Sequence, residues 1–243
     1  MATVTHTYAP ILGKKFRVTR LVGECGLLPD PGEEDAFIVS EGFTSVTLSS
    51  QIEEGTEILK RNANGNLCIN EKLKDSFKRF NLEIEFCGVN PTLYDFMTNA
   101  KLYRDYAGEG AGFTVGEGEF KKGFAFELWT GLTGQACEPG AEEASGYLVL
   151  PKVQAGVLGD LSVTGEAEVS FSMTGAYTLG QSLWGEGPYN VVMDGTNPAP
   201  LPTPLDALDH LLLIDTAVAP PPTADSPQPM PMYSGPVPTT TTP

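Results

Sequence analysis

The stretch Val163-Thr-Gly-Glu-Ala-Glu-Val-Ser-Phe-Ser-Met173 decides the fold class. Val163, Gly165, Ala167, Val169, Phe171 and Met173 interleave with Thr164, Glu166, Glu168, Ser170 and Ser172, the period of two that marks a long strand with one dry and one wet face. Working outward, Leu82, Ile84 and Phe86 alternate with Asn81, Glu83 and Glu85, and Phe124, Phe126 and Leu128 alternate with Ala125 and Glu127. Further strands are expected at 43–52, 56–61, 67–71, 146–154 and 181–192. Asn64-Gly65 reads as a hairpin turn with positive φ at both central positions. Pro151 removes a ladder donor, so 146–154 is expected at a sheet edge or with a bulge. A single helix is well marked over 91–99, with Asn90 as N-cap, Pro91 at the first helical position and Leu93, Phe96 and Met97 at helical spacing. Two stretches are ambiguous: Leu73, Phe77 and Phe80 are spaced as for a helical turn, and 204–215 reads as a short helix or a strand.

These elements predict a mainly β protein, an antiparallel β-sandwich or barrel with one short packed helix and extended loops and arms. The 243 residues divide into a β domain at 1–219, with an N-terminal arm at 1–15, and a tail at 220–243. Residues 194–204, with four prolines, read as a stiff connector. The tail holds nine prolines and ends in four threonines and a proline, a composition expected to stay a polyproline-like arm with no core.

Charge narrows the function. Lys and Arg number 15 against 31 Asp and Glu, a net charge of −16, and the imbalance is concentrated after residue 122, where Lys152 is the only Lys or Arg against 13 acidic residues. Tight electrostatic binding to nucleic acid or anionic lipid is disfavoured. Cys25, Cys68, Cys87 and Cys137 lie far apart and are expected as reduced, small core or half-buried residues. With only His6 and His210 beside them, they offer no zinc or iron–sulfur spacing. No stretch is long and apolar enough to span a bilayer.

The sequence carries few signs of catalytic or ligand-binding chemistry. Gly108-Glu-Gly110-Ala-Gly112 lacks the spacing of either nucleotide loop, and Glu109, Glu117 and Glu119 would repel phosphate. No Gly-x-Ser-x-Gly or His-Glu-x-x-His occurs. The carboxylate pairs Glu83/Glu85 and Glu166/Glu168 sit on wet faces without the apolar pocket that raises one acid of a glycosidase pair. Asp30-Pro-Gly-Glu-Glu-Asp35 lacks the ligand order of a calcium loop. Trp129 and Trp184 read as core-rim packing rather than a sugar platform. The reading is of a protein without an enzymatic role and without a cofactor or metal.

The order of segments carries a resemblance. An acidic hairpin, Asn64-Gly-Asn-Leu-Cys68, Asn81-Leu-Glu-Ile-Glu-Phe-Cys87, Asn90-Pro-Thr-Leu93, Phe126-Glu-Leu-Trp-Thr-Gly131 and Cys137 follow one another, then Leu148-Val-Leu-Pro-Lys-Val-Gln154, Trp184-Gly-Glu-Gly-Pro-Tyr189 and Asp209-His-Leu-Leu-Leu-Ile-Asp-Thr216. Over most of residues 40–219 the succession resembles the major tail proteins of long-tailed actinobacterial phages. The resemblance implies a β-sandwich or barrel subunit of the tail tube type, made in the host cytoplasm and resident in the virion. Its hexameric rings would stack into a non-contractile tube that passes double-stranded DNA without binding it specifically. It also implies tape measure, tail terminator and distal tail proteins as partners. The acidic balance fits such a wall independently. Glu83, Glu85, Glu166 and Glu168, with Glu127 from a third strand, are the candidates to line a channel, or else they meet solvent outside it. Residues 1–15, 43–61 and 107–119 show no core of their own and are expected to order in an assembly, which makes Glu53, Glu54, Gly55, Gly108, Gly110 and Gly112 the candidate subunit contacts. The competing class is a secreted carbohydrate-binding β-sandwich.

Overall fold

Phe16 and Val18 alternate with Arg17 and Thr19 along the first strand, and the fold is built around that ribbon. A computed structural model describes residues 10–88, 90–118, 123–132, 145–160, 171–224 and 226–232. Within them run β1 (Pro10–Leu21), β2 (Phe37–Ser40), β3 (Phe43–Glu53), β4 (Glu57–Arg61), β5 (Leu67–Lys72), β6 (Ser76–Phe86), α1 (Pro91–Met97), β7 (Lys101–Arg104) and β8 (Gly110–Thr114). There follow β9 (Gly123–Leu132), β10 (Ser145–Gln154), β11 (Val157–Leu158), β12 (Phe171–Thr178), β13 (Val192–Asp194), β14 (Asn197–Ala199) and β15 (Leu212–Thr216). The main sheet runs β2-β1-β9-β10-β12-β6-β3, with β11 on β12 and β15 on β10, and every pairing in it is antiparallel.

The sheet closes over its own inner face. Phe16 stacks on Phe126 of β9 at 5.6 Å and also meets Phe86 of β6 at 6.1 Å and Phe43 of β3 at 5.5 Å, although β1 and β3 lie near opposite ends of the strand order. Leu82, Ile84, Phe124, Leu150 and Met173 fill the space between, and α1 seals it with Leu93, Tyr94, Phe96 and Met97. This is a mainly β, antiparallel architecture consistent with a β-sandwich. A second apolar layer covers the other face of β9 and β10, where Ala125, Trp129, Tyr147 and Val149 pack against Trp184, Tyr189, Val191, Leu201 and Met230.

The helix starts as expected: Asn90 Oδ1 accepts from the Thr92 amide at 2.9 Å. It stops at Met97, two residues early, because Thr98 turns to an extended conformation and bridges Gly156 in parallel. A Cβ on Gly156 would lie 2.3 Å from the Met97 carbonyl oxygen, so glycine is required for this approach.

Several expectations are corrected. The ambiguous segment 73–80 is strand from Ser76 onward, since β6 extends to pair the whole of β3. Of the two settings expected for Pro151 the bulge holds and the sheet edge does not: β10 has β9 on one side and β12 and β15 on the other, and the missing donor is absorbed by a register shift between Leu150 and Val153. Residues 181–190 form an irregular second-layer segment in which Trp184 and Tyr189 are buried, so the strand expected over 181–192 is absent up to Val192. The connector 194–204 instead begins with the short hairpin β13–β14. Of the Asn64-Gly65 pair only Gly65 has positive φ, at 81°, because Asn62 Oδ1 holds the amides of Asn64 and Asn66 and shifts the hairpin register between Lys60 and Arg61. Cys25, Cys68 and Cys87 are exposed rather than core residues, and Cys137 lies outside the described residues.

Both ends of the chain are also redrawn. The expected arm 1–15 is strand from Pro10 onward, and residues 1–9 lie outside the described residues. The expected coreless tail contributes to the core: Met230 is buried in the second apolar layer, and Gln228 bridges Phe37. Residues 233–243 lie outside the described residues.

Candidate functional site

The outer face of β3, β6 and β12 is built from alternate residues of three paired strands. Leu82, Ile84 and Phe86 turn inward and are buried, which places Glu83 and Glu85 outward and exposed. Across the ladders, Glu83 faces Thr47, Glu85 lies between Ser45 of β3 and Ser172 of β12, and Asn81 lies between Ser49 and Tyr177. Ser45 Oγ donates to Glu85 Oε2 at 3.0 Å. Small polar residues thus surround two carboxylates. Toward the far end of the face, the Arg79 guanidinium lies over the Tyr177 ring at 4.2 Å. Glu166 and Glu168 lie outside the described residues, as does most of the strand expected over 163–173, of which β12 carries the part from Phe171.

Glu127 belongs elsewhere, and its assignment to a wet face is wrong. It is fully buried, because the second apolar layer covers the side of β9 that the alternation left polar. Arg17 binds it with both ends of its fork, Nε to Oε2 at 2.6 Å and Nη2 to Oε1 at 2.5 Å, and the Tyr147 hydroxyl donates to Oε1 at 2.6 Å. Arg17 itself lies 3.2 Å from the centre of the Tyr189 ring and 5.1 Å from that of Trp129. Burial works against the Arg17 charge, but the Glu127 carboxylate outweighs it and raises the guanidinium above its ordinary value. Burial first, and the Glu127 charge second, push the Tyr147 phenol well above its ordinary range. This arrangement holds two layers together and presents nothing to a ligand.

Two hairpins project from this frame. Past Glu53 the β3–β6 ribbon continues as β4–β5, and Gly55 marks the crossing. Its amide donates to Asp75 Oδ1 at 2.9 Å, and a Cβ there would lie 1.9 Å from the Leu73 carbonyl oxygen, so no other residue fits. The Gly55 amide, and then Lys72, hold the Asp75 carboxyl below its usual range. Glu53 lies 4.0 Å from Lys78, and Glu54 is exposed. Every residue from 57 to 72 is exposed, including Ile58, Leu59, Leu67 and Ile69, and Leu73 beyond them is 51% exposed. By register, Ile58 and Ile69 share one face with Lys60 and Glu71.

The second hairpin, β7–β8, carries the glycine-rich stretch. Asp105 Oδ1 accepts from the amides of Ala107 and Glu109, and Gly108 takes φ of 86° in the turn. Gly112 pairs with Tyr103, and Gly110 with Arg104. This hairpin has the anchor the sequence reading denied it: Phe113 stacks on Tyr94 of α1 at 4.8 Å. Tyr103 and Tyr106 at its outer end are exposed. Ile58 and Leu59 fall within the segment 43–61 expected to order in an assembly, whereas exposed Leu67, Ile69, Tyr103 and Tyr106 were not singled out from the sequence.

Trp129 and Trp184 are both buried. Among the described residues no group of three His, Cys, Asp or Glu side chains converges to hold a metal, and no helix is long and apolar enough to cross a membrane. No family model matches the chain, and comparison with curated proteins gives no match.

Proposed function

We propose that this chain is the major tail tube subunit of a long, non-contractile phage tail, polymerising as stacked hexameric rings into a conduit for double-stranded DNA. The observation that carries the proposal is the β4–β5 arm. A two-stranded hairpin is marginal in water, and this one exposes aliphatic side chains along its whole length with no core beneath it. A neighbouring copy supplies the missing cover, and in a stacked array every arm finds an equivalent seat. The polar outer face with Glu83 and Glu85 suits the lumen: repeated once per subunit, its carboxylates repel the passing polyanion, and the face offers few cations to hold it. Partners at the tube ends and a tape measure protein within follow from the resemblance of the sequence, as does residence in the virion.

Negative-stain microscopy of concentrated protein tests this directly. The full chain is expected to form rings or tubes. A variant with residues 57–72 replaced by a short Gly-Ser turn is expected to remain a folded monomer, because the inner core draws nothing from the arm. A full chain that stays monomeric at high concentration, or an armless chain that builds normal tubes, overturns the proposal.

A further inference from the structure

The main sheet ends at β2, which pairs β1 on one side only. Its other side is taken by Ser226-Pro-Gln-Pro-Met-Pro-Met232. Gln228 donates its amide to the Phe37 carbonyl at 2.8 Å, and its own carbonyl accepts from Ala36 at 2.9 Å and Phe37 at 3.2 Å. Met230 donates to the Glu33 carbonyl at 2.8 Å and accepts from Gly32 at 2.9 Å. Its side chain is buried, with the Tyr189 hydroxyl 3.8 Å from the sulfur. Upstream, the Ala224 amide donates to the Val39 carbonyl at 3.1 Å.

In extended backbone, the polar groups of alternate residues point to opposite sides. Gln228 and Met230 spend theirs on β2 and the turn before it. Pro227, Pro229 and Pro231 hold the positions in between, facing away, and have no N–H. The outer side of this ribbon therefore carries acceptors and no donors from those three residues, so a further strand cannot build a ladder on it.

We propose that residues 226–232, with Ala224 upstream, are an edge cap, a self-ligand that docks on β2 by strand addition, with Met230 fixing its register, and that closes this end of the sheet to other copies. The tail is thus a device against lateral association, independent of whether the chain builds a tube. Two kinds of variant of the full chain separate capping from mere packing. In Pro227→Thr/Pro229→Thr/Pro231→Thr the cap stays docked but gains outward donors. Hydrogen exchange at the Gly32, Ala36 and Phe37 amides is expected to stay slow, while irregular association followed by light scattering accelerates at least about tenfold. In Met230→Asp the cap undocks, those three amides exchange at least about tenfold faster, and association again rises. A peptide spanning residues 224–232, added to the Met230→Asp chain, is expected to restore slow exchange and suppress association. Micrographs distinguish irregular aggregates from ordered rings, so the outcome is read separately from tube formation. A docked triple variant that associates no faster than the parent overturns the proposal, as does an undocked chain that stays equally monodisperse. If Met230→Asp unfolds, the triple variant alone decides.

Discussion

β6 and β9 carry the same alternating pattern and end in opposite environments. On β6 the polar positions, Glu83 and Glu85, face outward beside Ser45, Thr47 and Ser172. On β9 the corresponding position, Glu127, is sealed under Trp184, Tyr189 and the returning tail and held by Arg17 and Tyr147. Alternation says which side of a strand is polar, and that side needs a partner or water. It does not say which of the two it receives. A lone carboxylate at Glu127 would be prohibitive, and the bidentate guanidinium together with a phenol hydroxyl makes the second layer possible.

The sharpest way to break this contrast is to make one substitution in both places. Glu127→Ala leaves Arg17 buried and unpaired and is expected to cost about 3–5 kcal/mol in denaturant unfolding. The double change Arg17→Met/Glu127→Leu is expected to recover most of that loss, because no charge is then stranded. A Glu127→Ala chain as stable as the parent would show that water reaches the pair.

A smaller effect concerns His210, where the two regions of the sheet meet the base of the arm. The Phe80 amide donates to Thr178 Oγ1 at 2.9 Å, and Thr178 Oγ1 lies 2.6 Å from His210 Nδ1, so the hydroxyl proton is free to donate to a neutral imidazole. Phe77 packs against the ring edge to face at 5.2 Å. Burial lowers the His210 pKa below its ordinary 6.5, against the opposing charge of Asp209. A depressed histidine contributes stability that is complete above the unfolded value and lost as pH falls through the folded one. The unfolding free energy is therefore expected to drop as pH is lowered from 7 toward 5, by under about 1 kcal/mol after solvent screening. His210→Asn is expected to flatten that part of the profile, and an unchanged slope would remove the assignment.

The smallest expected effect on stability lies on the open face. Glu83→Ala and Glu85→Ala should each change unfolding free energy by within about 0.5 kcal/mol. Their consequence is electrostatic: if the chain builds the proposed tube, Glu83→Lys/Glu85→Lys should permit assembly while tubes retain DNA at low salt and release it as salt rises. Tubes that pass DNA normally would place this face outside the channel.

The β class, the strands around Leu82 and Phe126, the Asn90-Pro91 helix start and the polarity of β6 were legible in the sequence, because each follows from backbone geometry and side-chain period over a few residues. What lay beyond reach depended on contacts between residues far apart. Glu127 finds Arg17 across 110 positions, and nothing in either neighbourhood distinguishes that carboxylate from a solvated one. The tail looked coreless because its composition is that of a linker, yet two unprolylated amides in the right phase and one buried methionine suffice to dock it on β2. The arm was visible as two strands and a turn, but only the tertiary structure reveals that nothing in the described residues covers its aliphatic side chains. Local pattern determines conformation and the sidedness of each element. Burial is a property of what the rest of the chain lays on top, and that is decided when the layers assemble.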